Sequence, residues 1–151
     1  MKKLIDVYPY KIVNDEVHFL IFKRSSKKIY ADQWRMIGGK VNSDETSWLA
    51  GLRELEEETG IKPVKFWTVP SVNQFYEHKS DMIHSIPAFA AQIPDQAYIK
   101  LDDEHTGYKW ITANDVSKYL KWPEQRRLIR LIDELLKNGN NEILPEWIVD
   151  T

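Results

Sequence analysis

The sequence predicts an α/β fold, a mixed β-sheet held between helices, and three observations carry that expectation. Apolar, β-branched and aromatic runs recur between residues 3 and 111 with turn-forming residues between them, the mark of strands. Two further segments, 46–59 and 124–137, carry apolar side chains at helical spacing instead. At 151 residues and 42% hydrophobic content, the chain has the size of one ordinary domain, able to bury roughly 68–70% of its unfolded surface. Strands with a helix on either side pack as an α/β/α sandwich, so a single domain of that kind is expected over residues 1–151.

The elements follow in order. Residues 3–13 and 16–23 read as two strands joined at Asn14-Asp15 by a tight turn. Ser25-Ser26-Lys27-Lys28 reads as a polar loop, Trp34 to Ile37 as a short strand, and Gly38-Gly39 as a flexible turn. A helix is expected from Thr46 to Thr59: Asp44 or Thr46 can cap its start, and Gly60 stands where a left-handed residue would end it. Trp48, Leu49, Leu52 and Leu55 give this helix an apolar face for the core, opposite an acidic one. Lys65 to Tyr76 and Met82 to Ile93 read as strands with His78-Lys79-Ser80-Asp81 as their turn, and Tyr108 to Ile111 as a last strand. Ala113 to Leu120 suggests a short helix. Glu124 to Lys137 is a longer one, with Pro123 suited to its first turn. Asn138-Gly139-Asn140-Asn141 breaks that helix, and Ile143 to Trp147 either packs back on the body or is disordered.

Composition excludes several classes of function. Without cysteine there is no disulfide, thiolate metal site or cysteine nucleophile, and a reducing cytoplasm fits. A net charge of −2 argues against binding nucleic acid polymers, which calls for a basic surface. No stretch has the apolar length of a membrane span, and Met1-Lys2-Lys3 leads into Leu4-Ile5-Asp6-Val7 without a signal-like block. The expectation is a cytoplasmic protein with a small-molecule partner and no membrane contact.

The chemistry is concentrated in GKVNSDETSWLAGLRELEEETGI, residues 39 to 61. A helix advances about 100° per residue, so Glu54, Glu57 and Glu58 fall within one turn and converge on one small volume. Carboxylates so close repel one another, and at neutral pH the cluster is better satisfied by a cation. Oxygen-only ligands favour Mg²⁺, with Mn²⁺ as the alternative. A run of glutamates alone is more often a solvated face. The spacing Gly39-x5-Glu45-x7-Arg53-Glu54-Leu55-x-Glu57-Glu58-x-Gly60-Ile61, however, resembles the signature box of the Nudix hydrolases at every specified position. Those enzymes cleave nucleoside diphosphates linked to another moiety. At average residue frequencies, a chance match in a chain of this size has a probability on the order of 10⁻⁸.

The resemblance implies a Nudix-type α/β/α sandwich and assigns roles. Glu54, Glu57, Glu58, Glu104 and the Gly38 carbonyl would hold one to three Mg²⁺ ions, and Glu57 or Glu104 would accept the water proton. Arg53 would fix a glutamate by a bidentate hydrogen bond. Arg24 is placed as family members place an arginine that faces substrate phosphates, and Lys40 resembles a frequent neighbour of the box. Trp34 is a candidate for stacking on a base, although tryptophans in a small domain are mostly core. Ile37 departs from the family pattern, in which proline often precedes the two glycines. The four histidines lack the spacing of a histidine metal helix, so no histidine site is expected. Lys121, Arg126, Arg127 and Arg130 read as a solvated basic face.

The box names a chemistry rather than a substrate. Glu104-His105-Thr106-Gly107-Tyr108-Lys109-Trp110 resembles the dATP and dihydroneopterin triphosphate pyrophosphohydrolase branch. That implies cleavage of such a triphosphate to a monophosphate and pyrophosphate. The alternatives are a nucleotide-sugar or dinucleoside polyphosphate hydrolase and, from another class, a Nudix domain that senses a nucleotide without cleaving it.

Overall fold

A computed structural model of the chain describes residues 3–25, 32–137 and 143–150. The loop expected at residues 26–28 and the helix-breaking tract at 138–141 lie outside the described residues. Seven strands form one mixed sheet: β1 (Leu4–Val13), β2 (Glu16–Arg24), β3 (Trp34–Arg35), β4 (Ile37–Lys40), β5 (Lys65–Glu77), β6 (Met82–Gln92) and β7 (His105–Ile111). The helices are α1 (Ser47–Thr59), α2 (Val116–Tyr119) and α3 (Pro123–Leu136). No helix among the described residues is long and apolar enough to cross a membrane.

β1 is the organising strand. It pairs antiparallel with β2 through Tyr10–Val13 and with β4 through Leu4–Val7, while β6 runs parallel to it on the other edge. Asn14 and Asp15 both take positive φ, 52° and 63°, the two-residue turn whose twist matches a hairpin. The alternation of β1 then sorts the core. Ile5 and Val7 face α1 with Leu55, Phe66 and Phe89, while Tyr8 and Tyr10 face α3 with Leu128, Ile129 and Ile132. Each helix thus covers one face of the sheet, giving the sandwich expected from the sequence.

Three local expectations differ from what is found. The single strand expected at 34–37 is two, because the chain changes partner at Met36, from β2 to β1. The Met36 amide lies between the two ladders and donates instead to Oε1 of Gln125 on α3, at 3.4 Å. Gly38 and Gly39 belong to β4, paired with Asp6 and Ile5, rather than forming a turn. Leu49 is 42% exposed, because α1 packs through Ala50, Gly51 and Leu55. Gly51 lets the helix sit close: a Cβ there would lie 3.1 Å from Cζ of Phe66. Ile143 packs into the α3-side core, and the 3-10 turn at Pro145–Trp147 returns to β5, where Oγ1 of Thr68 donates to the Trp147 carbonyl at 2.8 Å.

Candidate active site

A cleft of about 540 Å³ opens where β1 exchanges β4 for β2, bounded by α1 on one side and α3 on the other. Helix α1 brings its carboxylates there. Oγ1 of Thr46 accepts from the Leu49 amide at 3.4 Å at the helix start, and Gly60 closes the helix at φ 74° with its amide on the Glu56 carbonyl. With both ends fixed, Glu54 and Glu58 line the cleft, while Glu57 is exposed at its rim. β4 passes close beneath: a Cβ on Gly39 would stand 2.6 Å from Oε1 of Glu54, so glycine is needed there for space.

Arg53 ties this wall together. Its Nη2 and Nε donate to Glu45 at 2.6 and 3.2 Å, its Nη1 to Glu54 at 2.8 Å and to Glu57 at 3.3 Å, and Nη2 also to the Lys40 carbonyl at 2.8 Å. The bidentate pair is made with Glu45, whose carboxylate also accepts from the Asn42 amide at 2.9 Å and is held below its ordinary pKa mainly by Arg53. Such a fork fixes the Glu54 rotamer before any ligand arrives.

Glu104 reaches the same space from the opposite loop. The Ser25 amide donates to its carbonyl at 2.8 Å, and the Lys100 amide to the Thr59 carbonyl at 3.0 Å, so this loop is stitched to both β2 and α1. A register shift at Lys23 and Arg24 puts Arg24 opposite His105, and both line the cleft with Glu104. Bulges re-aim side chains in this way. Lys40 and Gly38 line the cleft as well. Trp34 does not. It meets Tyr119 edge-on, ring centroids 6.2 Å apart, and packs against the α3-side core. Arg126, Arg127 and Arg130 bond to Leu120, Glu124 and Ser117 respectively, as a solvated basic face would.

Electrostatics mark the acidic end as strained. Burial, followed by the charges of Glu54, Asp102 and Glu104, pushes the Glu58 carboxyl up to about 9. Burial also raises Glu54, against the pull of Arg53. Oε2 of Glu58 is buried without a hydrogen-bond partner, although the side chain is 3% exposed. Carboxylates crowded together with an orphaned oxygen fit a divalent cation better than they fit one another. The oxygens suit Mg²⁺ or Mn²⁺.

The histidine expectation needs revising on one point, because His105 is part of this wall. Ligand atoms of Glu58, Asp102 and His105 lie within 4.8 Å of one another. Nδ1 of His105 is 3.1 Å from Oδ1 of Asp102 and 3.7 Å from Oε1 of Glu58, and burial pushes its pKa down. Spacing along the chain could not reveal the cluster, since Glu58 and His105 meet only through the fold. A second residue the motif reading passed over is Asp6, which lines the far end of the cleft at 6% exposure. Its signal was a charge inside an apolar strand.

Comparison with known proteins agrees with this geometry. A family model described as the NUDIX domain matches residues 5–132. The chain is 31% identical over 104 residues to the 8-oxo-dGTP diphosphatase of Buchnera aphidicola, covering 68% of this chain and 73% of that protein. It is 27% identical over 104 residues to an octanoyltransferase of Myxococcus xanthus, but spans 28% of that protein's length against 64% of its own. Among solved structures, the binary complex of a Caenorhabditis elegans Ap4A hydrolase superposes with a TM-score of 0.75 at 21% identity, covering 90% of this chain and 98% of that one.

Proposed function

The chain belongs to the NUDIX domain family, hydrolases of phosphorus-containing acid anhydrides, and from that premise we propose that it is a Mg²⁺-dependent pyrophosphohydrolase of a nucleoside or pterin triphosphate. The products would be a monophosphate and pyrophosphate. The observation that carries the reading is the convergence of Glu54, Glu58 and Glu104 with Arg24 and Lys40 on one cleft, with a glutamate oxygen buried and unsatisfied among them.

In this reading Glu54, Glu58, Glu104 and the Gly38 carbonyl hold the cation, and Glu57 completes the ligand set from the rim. Bound Mg²⁺ supplies charge neutralisation at the phosphates and a more acidic water. Everything else falls to the chain. Arg53 keeps Glu54 aimed into the cleft, and Arg24 and Lys40 meet the phosphate oxygens. Glu57 or Glu104 accepts the proton as the water oxygen bonds to phosphorus. The anhydride P–O bond then breaks and its electron pair leaves with pyrophosphate.

The test is Glu54→Gln assayed for pyrophosphate release from a panel of nucleoside triphosphates, dihydroneopterin triphosphate and nucleotide sugars with Mg²⁺. Rate should fall by a factor on the order of 10² or more with the circular dichroism spectrum unchanged. Near-normal turnover would remove Glu54 from the mechanism. A domain that senses a nucleotide without cleaving it would instead bind these compounds and release no product from any of them.

A further inference from the structure

The end of the cleft away from α1 carries a group for which phosphate chemistry has no use. Asp6 sits on β1 among residues of the α3 face, where the alternation of the strand otherwise places Tyr8 and Tyr10. Nδ2 of Asn73 donates to its Oδ2 at 2.8 Å and the Tyr8 hydroxyl at 3.2 Å. Asn73, Phe75, Arg35, Trp122 and Gln125 line the same space. A carboxyl at that depth costs several kcal/mol of desolvation, and here burial raises its pKa while the Asn73 and Tyr8 hydrogen bonds and the Arg35 charge pull it back towards ionisation. A strand with a purely structural role would place an apolar residue there.

The chemistry of these neighbours selects a ligand. A carboxylate offers two acceptor oxygens side by side, and its partner of choice is a pair of adjacent N–H donors. Phe75 and Trp122 offer aromatic faces to the same ligand, which suits a flat ring. Arg35 is a donor for an oxo group beside that pair. We infer that Asp6 reads the 2-amino-4-oxopyrimidine edge shared by guanine, 8-oxoguanine and dihydropterins, so that the enzyme prefers triphosphates carrying that edge to those carrying adenine. Adenine presents a ring lone pair where this edge presents N–H, and a lone pair facing a carboxylate is repelled. The dATP-like half of the substrate expectation is therefore the disfavoured half. This selectivity rests on reading the cleft as a triphosphate hydrolase site.

The experiment compares kcat/KM for dGTP, dITP and dATP, with 8-oxo-dGTP and 7,8-dihydroneopterin triphosphate to separate the two sources of the edge, in wild type and Asp6→Asn. dITP lacks only the 2-amino group, so wild type should prefer dGTP to it about tenfold or more, the loss expected for one charge-assisted hydrogen bond. Asp6→Asn replaces one acceptor with a donor, and the dGTP to dATP ratio should drop at least about tenfold. Equal rates on dGTP and dITP, or a variant that loses all substrates in the same proportion, overturn the inference. If Asp6→Asn does not fold, the wild-type ratios decide alone, indifference counting against it. If no triphosphate is cleaved, the hydrolase reading falls, and calorimetric binding of dGMP against dIMP and dAMP still decides whether the edge is read.

Discussion

Glu58→Gln should make the metal-free protein more stable, by an amount that grows with pH. Glu58 is 2% exposed, and its carboxyl is pushed up to about 9, chiefly by burial, from an ordinary value of 4.5. Between those two values the folded state keeps a proton that the unfolded state has lost, so stability falls as pH rises, by about 1.4 kcal/mol per pH unit. From about pH 7 to about pH 8.5 the loss amounts to about 2 kcal/mol. That window avoids His105, whose burial pushes its pKa below 6.5 and which is therefore neutral in both states above about pH 7.5. At lower pH its contribution has the opposite sign, with stability rising as pH climbs through its titration. Glutamine keeps the shape of Glu58 and carries no titration. Urea unfolding of both proteins in a chelator, across this window, should therefore show a slope in wild type that the variant lacks. Equal slopes, or a variant less stable than wild type at about pH 8.5, would refute the burial and charge placement given to Glu58. Since the carboxyl must shed its proton to hold a cation, added Mg²⁺ should stabilise wild type more at the upper end of the window and leave the variant unmoved.

Two other substitutions probe the neighbours of Glu54. Arg53→Lys keeps the charge but loses the fork that joins Glu45, Glu54 and the Lys40 carbonyl, so Mg²⁺ affinity or kcat should fall about 10- to 100-fold. Calorimetry and steady-state rates check this, and wild-type values in both would leave Arg53 an ordinary surface ion pair. Gly39→Ala places a methyl group against the Glu54 carboxylate, and Mg²⁺ affinity measured by calorimetry should drop about tenfold or more with the fold intact. Unchanged affinity would mean that Glu54 is not a ligand.

What the sequence reveals about this site divides by range. The acidic wall is a local object. Glu54 and Glu58 share a helical turn, Thr46 and Gly60 mark the ends of that helix, and Arg53 lies one residue from its partner, so spacing alone was enough to read it. The opposite wall is not local. Glu104 and His105 reach Glu58 only because the Ser25 and Lys100 amides pin their loop and because β2 shifts register at Arg24. No periodicity encodes a bulge or a loop tether. The partner change at Met36 is hidden for the same reason: residues 34–37 have a strand's composition whichever neighbour they pair with, and only Gln125, many residues away, shows where the ladder is interrupted.

The glycines and the buried acids show where local signals mislead and where they can be trusted. Gly38-Gly39 is punctuation that usually means a turn, yet neither residue takes a positive φ, and at Gly39 it is the space against Glu54 that forbids a side chain. The residue type was informative and the reason inferred for it was not. Asp6 and Glu58 are the converse case. Each contradicts its own element, one a charge in an apolar strand and the other an acid on the buried side of a helix, and neither contradiction serves the fold. A sequence otherwise consistent from propensity to packing breaks its own rules where function requires it. Asp6 and Glu58 stand at opposite ends of one cleft, so the two violations mark out the space a triphosphate would span, its phosphates at Glu58 and its ring at Asp6.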